Sequence, residues 1–318
     1  MQRIMKKQSK RLSITFMGVF FVTLLWIGVG YGVDTKKNTS DEPFMPNVGF
    51  SASTFTEVDK HDAKVATKLL ADMIVRKYQG QSFKNQGEPF IYENLSELEN
   101  DIKAKKLDVF VVVANEFLEI RNRLPIEPVA MSSREKTVYE ELLLLVRGDS
   151  GNKKVKDLGN KSIMVATTQG GRVYLTWLET LMMREGCYDI SRIKETRKPS
   201  QALMPVFFRQ ADACVVSRHY FEVNCELNPQ IQKELVAISN SPGFAGGVIA
   251  FRKDYNERHK EIMKNILASL HADAQGRQML LLFQMAKVVP FKPEYLNGME
   301  ALFKEYRDLK VRMTKVSQ

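Results

Sequence analysis

The run Thr167-Thr168-Gln169-Gly170-Gly171 has the residue types needed to hold an anion. It lies between a strand-like SIMVATT (162–168) and a helical stretch running from Gly171 to Arg184. The first turn of a helix leaves backbone N–H groups unpaired and carries the positive end of the helix dipole. Hydroxyls beside that turn add donors, and glycines let a ligand approach the backbone. The plainer reading of the same residues is a threonine N-cap followed by a glycine loop. Three other junctions carry candidate ligand-binding residues. Asn115-Glu116-Phe117 follows a buried strand at its C-terminal end, which in open α/β sheets faces the ligand crevice; a helix cap with a core phenylalanine is the competing reading. Ser53-Thr54-Phe55 follows the first strand, where the ring either covers a ligand or plugs the core. Ser217-Arg218-His219 follows another strand, and Arg218 could neutralise an oxyanion bidentately or stand solvated at a helix start.

Catalytic constellations do not accompany these residues. The sequence has no G-x-S-x-G, no phosphate-binding P-loop and no dinucleotide fingerprint after a strand. The adjacent acids Glu140 and Glu141 lie on an extended segment, where alternation sends them to opposite faces and makes them poor partners. The four histidines (His61, His219, His259, His271) are scattered, without metal-ligand spacing. The expectation is a binding protein, not an enzyme, with no cofactor and no metal.

The elements that must position these residues alternate along the chain. NVGFSA (47–52), PFIYEN (89–94) and DVFVVVAN (108–115) read as strands, the last as a continuous apolar run suited to a buried parallel strand. Helices over 60–78, 96–106 and 115–123 separate and follow them, with Val65, Leu69, Met73 and Ile74 taken as the inner face of the first. Residues 47–131 are thus β-α-β-α-β-α, a doubly wound α/β pattern. An extended segment, TVYEELLLLVRGDSG, leads into a second series of the same kind. It contains strands at 162–168, 211–216 and 234–239, with helices at 171–184, 199–209 and 217–226. A second extended segment, AGGVIAFRK (245–253), precedes helices at 255–270, 274–286 and 294–313. The last helices are expected to pack against the first lobe through Leu280, Leu281, Phe283, Leu302, Tyr306 and Leu309. No internal repeat is visible in the sequence. The fold class expected is α/β with two doubly wound lobes joined by two extended hinge crossings. Lobe I is expected over 47–139, lobe II over 140–245, and a return to lobe I with the C-terminal helices over 246–318. Two crossings let rigid lobes close on a ligand held in the cleft.

Of 318 residues, 44% are hydrophobic and 26% charged, which excludes a disordered chain and a polytopic membrane protein. The formal charge of +10 is uneven: Arg3, Lys6, Lys7, Lys10 and Arg11 precede any acid, and without them 42 basic residues face 37 acidic ones. The remaining body is only mildly basic, which argues against nucleic acid and is compatible with a small anionic ligand. Ile14 to Val33 is twenty residues without charge, enough to cross a bilayer as a helix. The basic flank predicts that everything after Asp34 is exported to the periplasm or its extracytoplasmic equivalent. Residues 1–33 are therefore a signal peptide, cut near Gly30 and Gly32, or an anchor retained in the inner membrane. A polar linker over 34–46 follows. Three cysteines, Cys187, Cys214 and Cys225, show no C-x-x-C spacing, and buried small hydrophobes are the simpler reading than a Cys214–Cys225 bridge.

The order of several segments resembles the phosphate/phosphite/phosphonate-type substrate-binding proteins of ABC transporters, which have the type II periplasmic binding protein fold. The segments are VDKHDAKVATKLL, KKLDVFVVVANEFL, LLLLVRGDSGNKKVKDLGNKSIMV, FFRQADACVV and VIAFRKD followed by GRQMLLLF. The resemblance covers about residues 47–306. It implies an oxyanion site at Thr167, Thr168 and Gln169, and first-lobe aromatics, here Phe55 and Phe117, closing over the ligand. Phosphonate binders usually have tyrosines at those two places, and a phenylalanine has no hydroxyl to donate. Acids that hold an aminoalkyl group are expected near the second crossing and after the ADA strand. The sequence there reads Ser241-Pro242-Gly243-Phe244 and Ser217-Arg218, so a simple oxyanion is the expected ligand rather than an aminoalkylphosphonate. The implied partner is a membrane permease that receives the ligand; the alternative is a membrane-tethered sensory module whose closure is read by a partner such as a sensor kinase.

Overall fold

The computed structural model describes residues 44–55, 58, 60–80, 88–134, 137–167, 172–189 and 191–316. The apolar segment 14–33 and most of the linker lie outside these residues. So do Thr168, Gln169 and Gly170. Among the described residues no helix is long and apolar enough to cross a membrane. Phe44, assigned to the linker by its polar surroundings, instead belongs to the folded body: it is buried, edge-on to Tyr78 and His259.

The chain first builds β1 (Val48–Ser51), α1 (Lys60–Gln79), β2 (Phe90–Tyr92), α2 (Leu95–Lys103), β3 (Val109–Val113), α3 (Ala114–Ile120) and β4 (Ile126–Ser133). It passes through the two-residue β5 (Tyr139–Glu140) into β6 (Leu142–Arg147), β7 (Ile163–Ala166), α4 (Val173–Arg184) and β8 (Ile193–Thr196). There follow α5 (Pro199–Phe207), β9 (Ala213–Ser217), α6 (Arg218–Leu227), α7 (Pro229–Glu234) and β10 (Leu235–Asn240). The return runs through β11 (Phe244–Ala245) to β12 (Gly247–Arg252), α8 (Glu257–Ser269), α9 (Ala274–Leu282), β13 (Lys287–Pro290) and α10 (Asn297–Val316).

These strands form two large sheets. Lobe I has six strands in the order β13-β4-β12-β3-β1-β2, and lobe II has five in the order β10-β6-β9-β7-β8. In each, three strands are parallel: β1 lies between β2 and β3, and β7 between β8 and β9. In each, the strand that arrives from the other lobe lies antiparallel to the last of the three, β12 on β3 and β6 on β9. The two sheets are thus one plan used twice. The crossings themselves pair as a two-stranded ribbon, β5 with β11. Gly243 makes this close passage possible, because a Cβ there would lie 2.7 Å from the Cβ of Tyr139.

Four elements were not foreseen: β4, β8, β13 and α7. The strands β8 and β13 stand at sheet edges, and β4 carries Pro128, which sits where the β4–β12 register slips. The segment 274–286 ends as a helix at Leu282 and turns into β13. On α1 the inner face is the one expected at Met73 and Ile74 but not at Val65 and Leu69. Val65 and Leu69 are exposed, while Ala63, Thr67, Ala71, Met73, Ile74 and Val75 are buried. Small residues at 63, 67 and 71 let the helix lie close, so the larger side chains on the other face have nothing to cover them. The last helix also departs from expectation. It packs on α4 of lobe II: Tyr306 donates to Glu179, Lys310 approaches Glu179 at 3.4 Å, and Arg184 pairs with Glu305. At its other end Glu300 pairs at 2.6 Å with Arg121, which follows α3 of lobe I. Leu281, assigned to packing, is largely exposed. The three cysteines are free thiols, Cys214 fully buried in lobe II.

Candidate ligand site at the seam

Parallel strands set the location of the site. The C-terminal ends of β1, β2 and β3 carry Ser51 to Phe55, Glu93 and Ala114 to Asn115; those of β7, β8 and β9 carry Thr167, Arg197 to Lys198 and Arg218. Two cavities are lined by both sets. The larger, about 330 Å³, has Ser53, Phe55, Lys60 and Glu93 from lobe I and Arg197 and Lys198 from lobe II. Three of its lining residues are cationic and one is acidic, and Glu93 is paired with Lys60 at 2.9 Å. The balance of charge at this mouth of the seam is positive, which favours an anion. The smaller cavity, about 40 Å³, lies beside the crossings and is lined by Val113 and Asn115 of lobe I and Val173 and Tyr174 of lobe II, with Glu140 and Met299.

A polar chain joins the lobes at that inner end. Arg134 donates to Oε1 of Glu140 at 2.6 Å, and the Tyr174 hydroxyl lies 3.3 Å from Oε2 of the same carboxylate. Tyr174 is buried at the start of α4. Burial, then the Glu140 carboxylate, holds its phenol well above the usual range, so it stays protonated and donates. Glu140 and Glu141 do turn to opposite sides: Glu141 accepts from Nε of Arg218 at 2.8 Å.

The sequence candidates meet different fates. Phe55 and Asn115 line the seam cavities, while Thr54 and Thr167 follow the C-terminal ends of β1 and β7 without lining either. Thr54 donates to the carbonyl of Ser51 and lines a third cavity, in lobe I. Phe55 lines the larger seam cavity with its ring against Phe50 and Phe283. Thr167 donates its N–H to Thr196, bringing the ends of β7 and β8 together. Phe117 does not come to the seam. It is buried against Phe291, because two residues along a helix turn the side chain through about 200°, so Asn115 and Phe117 cannot both face the cleft. Glu116 is half-buried in the wall instead. Its Oε1 accepts from Ser51 and its Oε2 from the N–H of Val113, so it ties the end of β1 to the start of α3. Desolvation pushes its pKa up, against the hydrogen bonds from Ser53, Ser51 and Val113 that pull it down. Arg218 is engaged by Glu141 and by Glu222 at 3.7 Å, so its charge is already balanced. Lys60, Arg197, Lys198, Arg134 and Tyr174 were missed. Arg197 and Lys198 follow β8, whose IKET has too little apolar character to announce a strand end.

Two sheets on one plan, two paired crossings and a cationic seam define a type II periplasmic binding protein. The family model for the ABC transporter phosphonate periplasmic substrate-binding protein matches residues 59–296, and the chain belongs to that family. It is accordingly a substrate-binding protein of a transport system, which acts outside the cytoplasm with a small-molecule ligand and a membrane permease as partners. No curated protein matches the sequence. Solved structures share the fold at low identity. A binding protein component of an ABC phosphonate transporter from Pseudomonas aeruginosa is 15% identical, with a TM-score of 0.60 over 86% of this chain and 100% of that one. PhnD1 from Prochlorococcus marinus, in complex with methylphosphonate, is 13% identical with a TM-score of 0.62 over 84% and 99%. XAC2383 from Xanthomonas citri, bound to ATP, is 11% identical with a TM-score of 0.62 over 83% and 98%.

Proposed function

We propose that this protein captures a phosphonate-like oxyanion in the seam and presents it, with the lobes closed, to its permease. The observation that carries this reading is the lining of the larger seam cavity by Lys60 on one lobe and Arg197 and Lys198 on the other. An anion held there bridges the lobe II cations Arg197 and Lys198 to Lys60, whose charge it shares with Glu93, and so favours the closed form over the open one. Thr167 and the residues that follow it in sequence, Thr168, Gln169 and Gly170, are the candidates to supply hydroxyl and backbone donors to the anion. Thr54, Phe55 and Asn115 form the lobe I side. Residues 14–33 insert in the membrane at least during export, and, if uncut, keep the lobes beside the permease. The sensory alternative gains no support from the related proteins.

Titration calorimetry with methylphosphonate, phosphate and sulfate tests the reading. Binding of at least one is expected, with Thr168→Val weakening it by about 1–3 kcal/mol if the hydroxyl donates to a charged group. Heat of binding absent for all three anions would refute the oxyanion; undiminished affinity in the variant would move the site away from this turn.

A further inference from the structure

A third cavity, about 160 Å³, lies inside lobe I. Its inner walls are wholly aliphatic or aromatic. Phe50, Val111, Ile249 and Val288 come from the sheet; Leu70, Leu267, Met279 and Phe283 come from the helices that cover it. Most of these side chains are themselves buried, including Leu267, Met279 and Val288. Polar residues are confined to one end, where the strands stop: Ser53, Thr54, Ser132, and the Arg134–Glu140 pair. The crossings form part of this end, through Thr137 to Glu140 and Gly246.

The cavity and the seam share a wall. Ser53 lines both. Phe55 lines the seam while its ring packs 5.8 Å from Phe50 and 6.3 Å from Phe283, two rings of the cavity wall. Ser53 and Phe55 thus stand where a polar, cationic space adjoins an apolar one. Interiors are normally packed without voids of this size, and a void of about 150 Å³ lined by apolar side chains stays dry and takes a six-carbon hydrocarbon. Among the described residues, the charged groups that line it are Arg134 and Glu140, which pair with each other at 2.6 Å.

We infer that the ligand is an oxyanion bearing an aliphatic chain, and that the chain enters the lobe I cavity past Ser53 and Phe55 while the head stays in the seam. This rests on the oxyanion reading above and adds the class of substituent. The volume sets the chain at about six carbons. Each methylene moved from water into an apolar site raises affinity about fourfold.

The test is a chain-length series, methyl-, butyl-, hexyl- and octylphosphonate, titrated into the full chain in lipid nanodiscs with empty nanodiscs as reference. The expected result is a dissociation constant that falls about fourfold per methylene up to about six carbons and then stops falling. In Val288→Phe and in Met285→Phe, each of which fills the cavity from a different element, the dependence on chain length flattens. Hexylphosphonate binding no more tightly than methylphosphonate would overturn the inference and leave the oxyanion reading standing. Failure of the whole series, methylphosphonate included, would overturn both. A slope in the parent chain that persists undiminished in both variants would also refute the cavity as the place of the chain.

Discussion

Arg147 and Arg252 occupy the same place in the two lobes. Each ends the strand that arrives from the other lobe, Arg147 buried and Arg252 nearly so, and each pairs with an aspartate two residues on, Asp149 and Asp254. Each also donates to a backbone carbonyl, Phe207 at 2.7 Å and Leu107 at 3.1 Å. A second device is likewise repeated. Asp108 accepts from the N–H of Asn47 at 3.0 Å, and Asp212 from the N–H of Ser162 at 2.9 Å, in each case tying the third parallel strand to the first. The lobes differ in how these parts are joined. In lobe I Arg252 donates to Asp108 at 2.9 Å, so arginine and aspartate are one network. In lobe II Arg147 turns to Glu234 at the end of α7, and Asp212 has an exposed lysine, Lys161, at 4.0 Å. The lesson is that one plan can be held by coupled or by independent anchors, and the two should respond differently to damage.

The largest effects are expected at the arginines. Arg252→Ala should cost about 3–5 kcal/mol, because it strips the shielded Asp108 of its partner, and Arg147→Ala about 1–3 kcal/mol, because its partners Asp149 and Glu234 are part-exposed, with urea unfolding as the measure. A cost below about 1 kcal/mol would mean that the arginine sits in solvent. Asp108→Ala should cost about 3 kcal/mol, since it strands both Arg252 and the N–H of Asn47. Asp212→Ala should cost only about 1 kcal/mol, the value of a hydrogen bond with a solvated neighbour. Double-mutant cycles sharpen the contrast: Arg252 with Asp108 should be strongly non-additive, and Arg147 with Asp212 nearly additive. Equal coupling in the two cycles would erase the distinction.

The smallest effect concerns Glu116. Burial raises its folded-state pKa above 4.5, so the folded chain holds this proton to higher pH than the unfolded one. Stability from this group therefore declines as pH rises through the interval above 4.5 and levels off once the folded-state carboxyl has ionised. Thermal melts of Glu116→Gln should lack that decline. A parent and variant with parallel pH profiles would show that the carboxyl is ordinary.

Much of the fold was legible in the sequence because its central strands are buried on both faces. VFVVV in β3, LLLLV in β6 and CVV in β9 are continuous apolar runs that nothing but a covered parallel or mixed sheet would take in. Edge strands need less. IKET and KVVP are half exposed, so neither β8 nor β13 carries a pattern that outranks a loop. The repeated Arg-x-Asp was present in VRGD and FRKD, but two matched residues do not reveal a repeat until the sheets are superposed in plan. For the site, strand ends could be located, and two of the candidates placed on them, Phe55 and Asn115, line the seam cavities. Rotation about α3 could not be read, and it is rotation that sends Phe117 inward. Cations such as Lys60 and Lys198 were invisible because each looks like any solvated lysine until the other lobe is brought opposite.

The C-terminal helix α10 begins against the crossings, where a Cβ on Gly298 would lie 3.3 Å from the carbonyl of Gly243, and it is fastened to α3 at one end and along α4 beyond. It therefore acts as the spine of a bound book. The margin of the two pages nearest it carries Met299 and Tyr174 beside the small cavity, while the cavity lined by Lys60 and Lys198 has no residue of this helix in its wall. A solute held between the cations is therefore not touched by the spine.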